Sequence, residues 1–191
     1  MTNIAVASLS HRRLHKGVFI GEVHGCNSLE CINAHCWVLT NDGNFVLLQK
    51  RSKKEKLFPG KLDISFAGHV DEGENVRHAI VRETFEEGGF DIDSYLSKKP
   101  RKILFSELGI FDGLRFKHNQ QAYVYYAVLN RETISKFNAD NNEVGGFKLV
   151  KISDFIKMVN SNDDRLVKHP RKYFNEVIKD IKALTEAIRL T

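Results

Sequence analysis

The sequence predicts an α/β sandwich built on a mixed β-sheet. Short runs rich in β-branched and aromatic residues recur along the chain, and stretches of helical spacing are interleaved with them. No internal repeat, low-complexity tract or Pro/Gly/Ser-rich linker interrupts this alternation. The 191 residues can bury a sizeable core and favour one domain over residues 1–191, with residues 1 to about 30 as an N-terminal extension.

Taken in order, strands are expected at 18–23, 33–40, 45–50, 63–70, 102–111, 121–129 and near 147–152. The turn between Thr40 and Phe45 reads NDGN, a hairpin connection, because Asp-Gly readily takes the positive φ values that such turns require. Helices are expected at 75–88 and 153–160, with a C-terminal helix over about 171–190 and a weaker candidate at 132–138. The C-terminal helix carries Phe174, Ile178, Ile181, Leu184 and Ile188 on one stripe, which is taken as a face turned to the core.

Hydrophobic residues at 42% and charged residues at 28% are ordinary values for a globular chain and exclude disordered and membrane-spanning classes. The apolar stretch IAVASL is too short to span a bilayer and is followed by the basic run HRRLHK, so the default location is cytoplasmic. Cys26, Cys31 and Cys36 lack paired C-x2-C spacing and read as reduced thiols, although His24 and His35 lie nearby in sequence. A net charge of +5 suits an anionic ligand, whether phosphate ester, nucleotide or nucleic acid. The basic runs RSKKEK, KKPRK and KHPRK carry no interleaved aromatics of the kind a single-strand platform needs, and the last two read as solvated surface.

The informative segment is GHVDEGENVRHAIVRETFEEGGF, Gly68 to Phe90. Asn75 is a helix N-cap by type, and Gly88-Gly89 supplies the stop. Glu83 and Glu87 stand at i,i+4, with Cβ atoms about 5–6 Å apart, and Glu86 is at i+3 from Glu83. Three acids on one side near a helix C-terminus oppose both each other and the macrodipole. A compensating cation is needed, and oxygen ligands select hard Mg2+ or Mn2+. A solvated acidic face would be the ordinary alternative for an isolated E-x-x-E-E.

The wider pattern decides against that alternative. Gly68, Glu74, Arg82, Glu83, Glu86, Glu87, Gly89 and Phe90 fit the Nudix box, G-x5-E-x7-R-E-U-x-E-E-x-G-U, where U is a bulky apolar residue. Thr84 departs from the pattern at the first U position, where its hydroxyl can bond back to a carbonyl in the preceding turn. The chain therefore resembles the Nudix hydrolases, and the flank LLQKRSKKEKLFPGKLDISFAGHVDEGE resembles the branch related to isopentenyl diphosphate isomerase.

The resemblance implies an α/β/α sandwich with a loop–helix–loop catalytic motif. It implies that Glu83 and Glu87 are the principal ligands of Mg2+ or Mn2+, with Glu86 a further ligand or a base and the carbonyl of Ala67 an added ligand, and that Glu74 and Arg82 form a supporting pair. Water activated by the metal would attack phosphorus in the diphosphate linkage of a nucleoside diphosphate joined to another moiety. Glu143 matches a position where the family often has a glutamate, so it is either the base or a loop surface charge. Arg51, Lys50, Lys61 and Lys56 are candidate diphosphate clamps, Arg51 first because a guanidinium grips phosphate in bidentate fashion. Phe58, Phe66 and Phe111 are either a wall for the leaving group or core. The resemblance also admits a homodimer. An isomerase is a weaker expectation, because that chemistry uses a cysteine where this chain has Ala67. A non-catalytic nucleotide- or RNA-binding module is weaker too, because the set of box glutamates is intact.

Overall fold

A computed structural model of the chain describes residues 3–8, 14–19, 29–55, 57–111, 114–139 and 143–190. Strand β3 (Leu29–Thr40) organises the molecule. It runs parallel to β8 (Leu114–Leu129) from Cys31↔Gln120 to Thr40↔Leu129, and antiparallel to β6 (Phe66–His69). β1 (Asn3–Ser8) pairs antiparallel with the start of β3 and with β2 (Leu14–Phe19), while β7 (Arg101–Phe111) pairs with β8. β4 (Phe45–Arg51) meets β3 at Leu39↔Val46 and then pairs with β5 (Leu62–Asp63) and β9 (Val144–Lys151). One parallel pair among antiparallel ones makes the sheet mixed, as expected.

Side chains alternate across a strand, and β3 uses that alternation to build two cores. Ile32, Ala34, Cys36 and Val38 pack with Phe66, Ala79 and Ile80 on the side of helix α1 (Val76–Gly88). Trp37 and Leu39 pack with Phe155, Tyr173, Val177 and Ile181 on the side of α3 (Ile152–Asn160) and α4 (Arg171–Arg189). Helices therefore cover both faces. A short α2 (Arg131–Ile134) replaces the helix expected at 132–138.

The 40–45 turn forms as expected, with Gly43 at φ +66° and its N–H donating to the Thr40 carbonyl. The strand expected at 63–70 divides in two. Ser65 Oγ donates to the Leu47 carbonyl at 2.6 Å and accepts from the Val38 N–H at 2.9 Å, so a buried hydroxyl takes the place of ladder bonds between β5 and β6. The buried line of α4 is Tyr173, Phe174, Val177, Ile181 and Thr185, with Ile178 and Leu184 only partly covered and Ile188 outside the core. The strand expected at 18–23 lies at 14–19 as far as the described residues reach. Cys26, His24 and Lys56, and the side chain of Phe111, lie outside them.

Cys31 and Cys36 are buried free thiols, and burial pushes Cys31 up to about 12 and Cys36 further. His35 is buried, with its Nδ1 against the Tyr173 hydroxyl at 2.8 Å, and Trp37 Nε1 donates to the same oxygen at 3.0 Å. No helix among the described residues is long and apolar enough to cross a membrane.

Candidate active site

Helix α1 is set by local chemistry at both ends. Asn75 Oδ1 accepts from the N–H groups of Arg77 and His78, and Gly89 at φ +63° donates its N–H to Phe85. Thr84, fully buried, donates to the Ile80 carbonyl at 2.7 Å, which satisfies the hydroxyl in an apolar slot. With the helix fixed, its last two turns face a cavity of about 710 Å³ shared with the end of β4, with β6 and with the approach to β9.

Glu83, Glu86 and Glu87 line this cavity together with Ala67, Gly68, His69 and Glu143. Gly68 leaves the space that the Glu83 carboxylate occupies: a Cβ on it would stand 2.0 Å from Glu83 Cδ and Oε1 and displace that side chain. Arg82 organises the rim. Its Nε and Nη2 grip Glu74 at 3.1 and 3.0 Å, and Nη2 also donates to the His69 carbonyl at 3.0 Å. Nη1 reaches Glu83 at 2.8 Å and Glu86 at 3.2 Å.

The electrostatics are those of crowded acids away from water. Burial pushes the Glu83 carboxyl up to about 7, with Arg82 opposing and Glu86 and Glu143 adding to the rise. Glu87, 7% exposed, is pushed up to about 8, again chiefly by burial. Gln49 and the Ala67 N–H, 3.4 Å from Oε2, lower it, while Glu83 and Glu143 raise it. Among the described residues no three His, Cys, Asp or Glu side chains form a closed metal cage, and Arg82 bridges Glu83 and Glu86 instead. The donors still suit a hard divalent cation: all are oxygens, and two are acids that burial makes reluctant to ionise without added positive charge.

The basic residues divide. Gln49 and Arg51 line the cavity, whereas Lys50, between them on β4, is exposed and does not, because successive side chains of a strand face opposite ways. Lys61 does not line it either; its Nζ lies 5.9 Å from the Phe58 ring centroid. Arg51 reaches the cavity with its guanidinium already engaged, by Glu55 at 2.7 Å, the Leu57 carbonyl at 2.9 Å and Asp63 at 3.6 Å. It ties Glu55 and Leu57 to the end of β4. Phe66 is core, and Phe58 is 46% exposed at φ +54°. Gly145 lies against the backbone at the end of β4, where a Cβ would meet the Arg51 carbonyl at 3.3 Å. Gln49, Glu55 and Asp71 were not singled out from the sequence, although the pleat that carries Arg51 to the cavity also carries Gln49.

Residues 31–170 match the NUDIX domain family. An uncharacterised Nudix hydrolase of Clostridium acetobutylicum is 27% identical over 135 residues, covering 68% of this chain and 61% of that protein. Nudix hydrolase 3 of Arabidopsis thaliana is 28% identical over 148 residues, 77% of this chain and 19% of that protein. The chain thus spans less than two thirds of the length of either relative. In fold it is similar to the crystal structure of DR0079 from Deinococcus radiodurans, with a TM-score of 0.61 at 17% identity over 95% of this chain and 98% of that one.

Proposed function

Because this chain belongs to the NUDIX domain family, we propose that it is a divalent-metal-dependent hydrolase of a diphosphate linkage in a nucleoside diphosphate joined to another group. The observation that carries the proposal is the pairing of half-buried Glu83 with buried Glu87, held in one cavity with Glu86 and Glu143 and both pushed up by burial. A surface face of solvated acids would not be buried, and burial of acids without a cation is costly.

In this reading Glu83, Glu86, Glu87 and the Ala67 carbonyl hold Mg2+ or Mn2+. When bound, the cation supplies the positive charge that acidifies water and offsets the charge gathering on the phosphoryl oxygens. Arg82, tied to Glu74, keeps the last turns of α1 against β6. Glu143, whose carbonyl accepts from the Ser52 N–H at 2.8 Å, receives the proton of the attacking water. The water oxygen bonds to phosphorus as the bridging P–O bond breaks, and the released phosphate leaves as an anion that equilibrates with solvent. Arg51 holds Glu55 at the cavity and bonds the Leu57 carbonyl.

The test is a screen of diphosphate-bridged compounds with Mg2+ or Mn2+ and an EDTA control, scored by phosphate liberated from the product by phosphatase. Cleavage that needs the metal and is lost on chelation is expected. A folded protein that cleaves none of them with either metal would reject the proposal.

A further inference from the structure

Gln49 lies in the run FVLLQK, where Leu47 and Leu48 are buried. It shares the pleat of Leu47, which packs in the core on the α1 side, so an aliphatic residue at 49 would simply extend that face. Its backbone is fixed on both edges, paired with Asp63 on β5 and Phe147 on β9. The side chain is 5% exposed, yet its Nε2 has no hydrogen-bond partner among the described residues. An orphaned buried amide is unfavourable and rare, and it is expected where a site needs a donor more than the fold needs a satisfied group. Gln49 also lines the cavity, and its side chain is close enough to Glu87 to lower that carboxyl as a hydrogen-bond donor does.

We infer that Gln49 is a positioning residue for Glu87, its buried Nε2 being the donor that fixes one carboxylate oxygen so that the other is presented to the cavity. This rests on the hydrolase reading of the cavity. Of the two Glu87 oxygens, Oε2 takes the Ala67 N–H at 3.4 Å, a long bond that by itself holds the plane of the carboxylate only weakly. A second donor from β4, on a rigid paired strand, defines that plane.

The experiment is a double-substitution cycle read by Mn2+ binding, followed by electron paramagnetic resonance of the free ion with no substrate present. Gln49→Met removes the amide and keeps the length and apolar packing. It is expected to leave stability to urea unchanged or raised, because an orphaned polar group is lost, while the Mn2+ dissociation constant rises about 10- to 100-fold. Combined with Glu87→Gln, it should add no further loss, because it acts through Glu87. Unchanged Mn2+ affinity in Gln49→Met, or two effects that multiply, would overturn the assignment, as would a weakening that only tracks lost stability. A wild-type protein that binds no Mn2+ would overturn both this and the proposed function. Wild-type protein that binds Mn2+ but cleaves no diphosphate would sink the hydrolase alone, and the Mn2+ cycle would still decide Gln49.

Discussion

Replacing Gly68 by alanine tests whether the position of one carboxylate, and not its mere presence, sets activity. The new methyl carbon would stand 2.0 Å from Glu83 Cδ and Oε1 and 2.5 Å from Cγ. Non-bonded carbons settle at about 3.5 Å or more, so the carboxylate must retreat by about 1.5 Å. The retreat strains the 2.8 Å bond from Arg82 Nη1. Since a misplacement of about 1 Å near reacting groups can cost on the order of 10²-fold, kcat/KM should fall by about that factor. Overpacking should lower stability by about 1–3 kcal/mol, which leaves the protein folded for assay at 25 °C. Metal-dependent cleavage of the best compound from the screen gives the first quantity, and urea unfolding the second. Shortening Glu83 to Asp in the same protein should recover stability without recovering activity, because the clash goes but the carboxylate stays withdrawn. Wild-type kcat/KM in a folded Gly68→Ala protein would refute the reasoning.

Glu87→Gln should lower kcat on the order of 10³-fold, the scale of losing one charge-stabilising group, while the melting temperature holds or rises because a buried acid is gone; near-normal turnover by a folded variant is the contrary result. His35 makes stability depend on pH. Burial holds its pKa down to about 3, against an ordinary 6.5, so above pH 6.5 it is neutral folded or unfolded. Below that the unfolded chain takes a proton that the fold refuses, and stability falls through the window from 6.5 to 3, by about 2–3 kcal/mol at pH 4.5. Urea midpoints of wild type and His35→Gln from pH 7 to 4.5 should diverge in slope, and parallel curves would count against a neutral buried His35. Tyr173→Phe strips the shared partner from His35 Nδ1 and Trp37 Nε1. Each stranded group costs about 1–3 kcal/mol, so urea unfolding should show a loss of at least about 2 kcal/mol.

What the sequence made legible was whatever depends on near neighbours. Asn75 and Gly89 mark the ends of α1, Thr84 bonds to its own preceding turn, and NDGN makes its turn, all within a few residues of chain. What stayed hidden depends on partners far along the chain. β8 begins at Leu114, because residues 114–119, polar and basic in pattern, become strand only through pairing with β7. Ser65 divides a strand-like run by bonding to Leu47 and Val38. The stripe of α4 was read in large part, since Phe174 and Ile181 are buried and Ile178 and Leu184 pack against the core, but aliphatic type alone missed Tyr173 and Thr185, which are buried, and included Ile188, which is only half-buried. At the site, the acids of α1 were readable because helical spacing alone brings them together. Among the basic candidates the bidentate guanidinium put Arg51 first, and the pleat of β4 brings Arg51 and Gln49, but not Lys50, to the cavity.

Strand β3 is the wall shared by two separate interiors, with alternate side chains committed to opposite rooms. Inserting or deleting one residue between Ile32 and Leu39 would exchange the tenants: Trp37 would be driven toward α1, and small Ala34 or Cys36 toward Tyr173. Variation in length among relatives should therefore accumulate in the connections and spare this stretch, and a pair of residues should be tolerated there better than a single one.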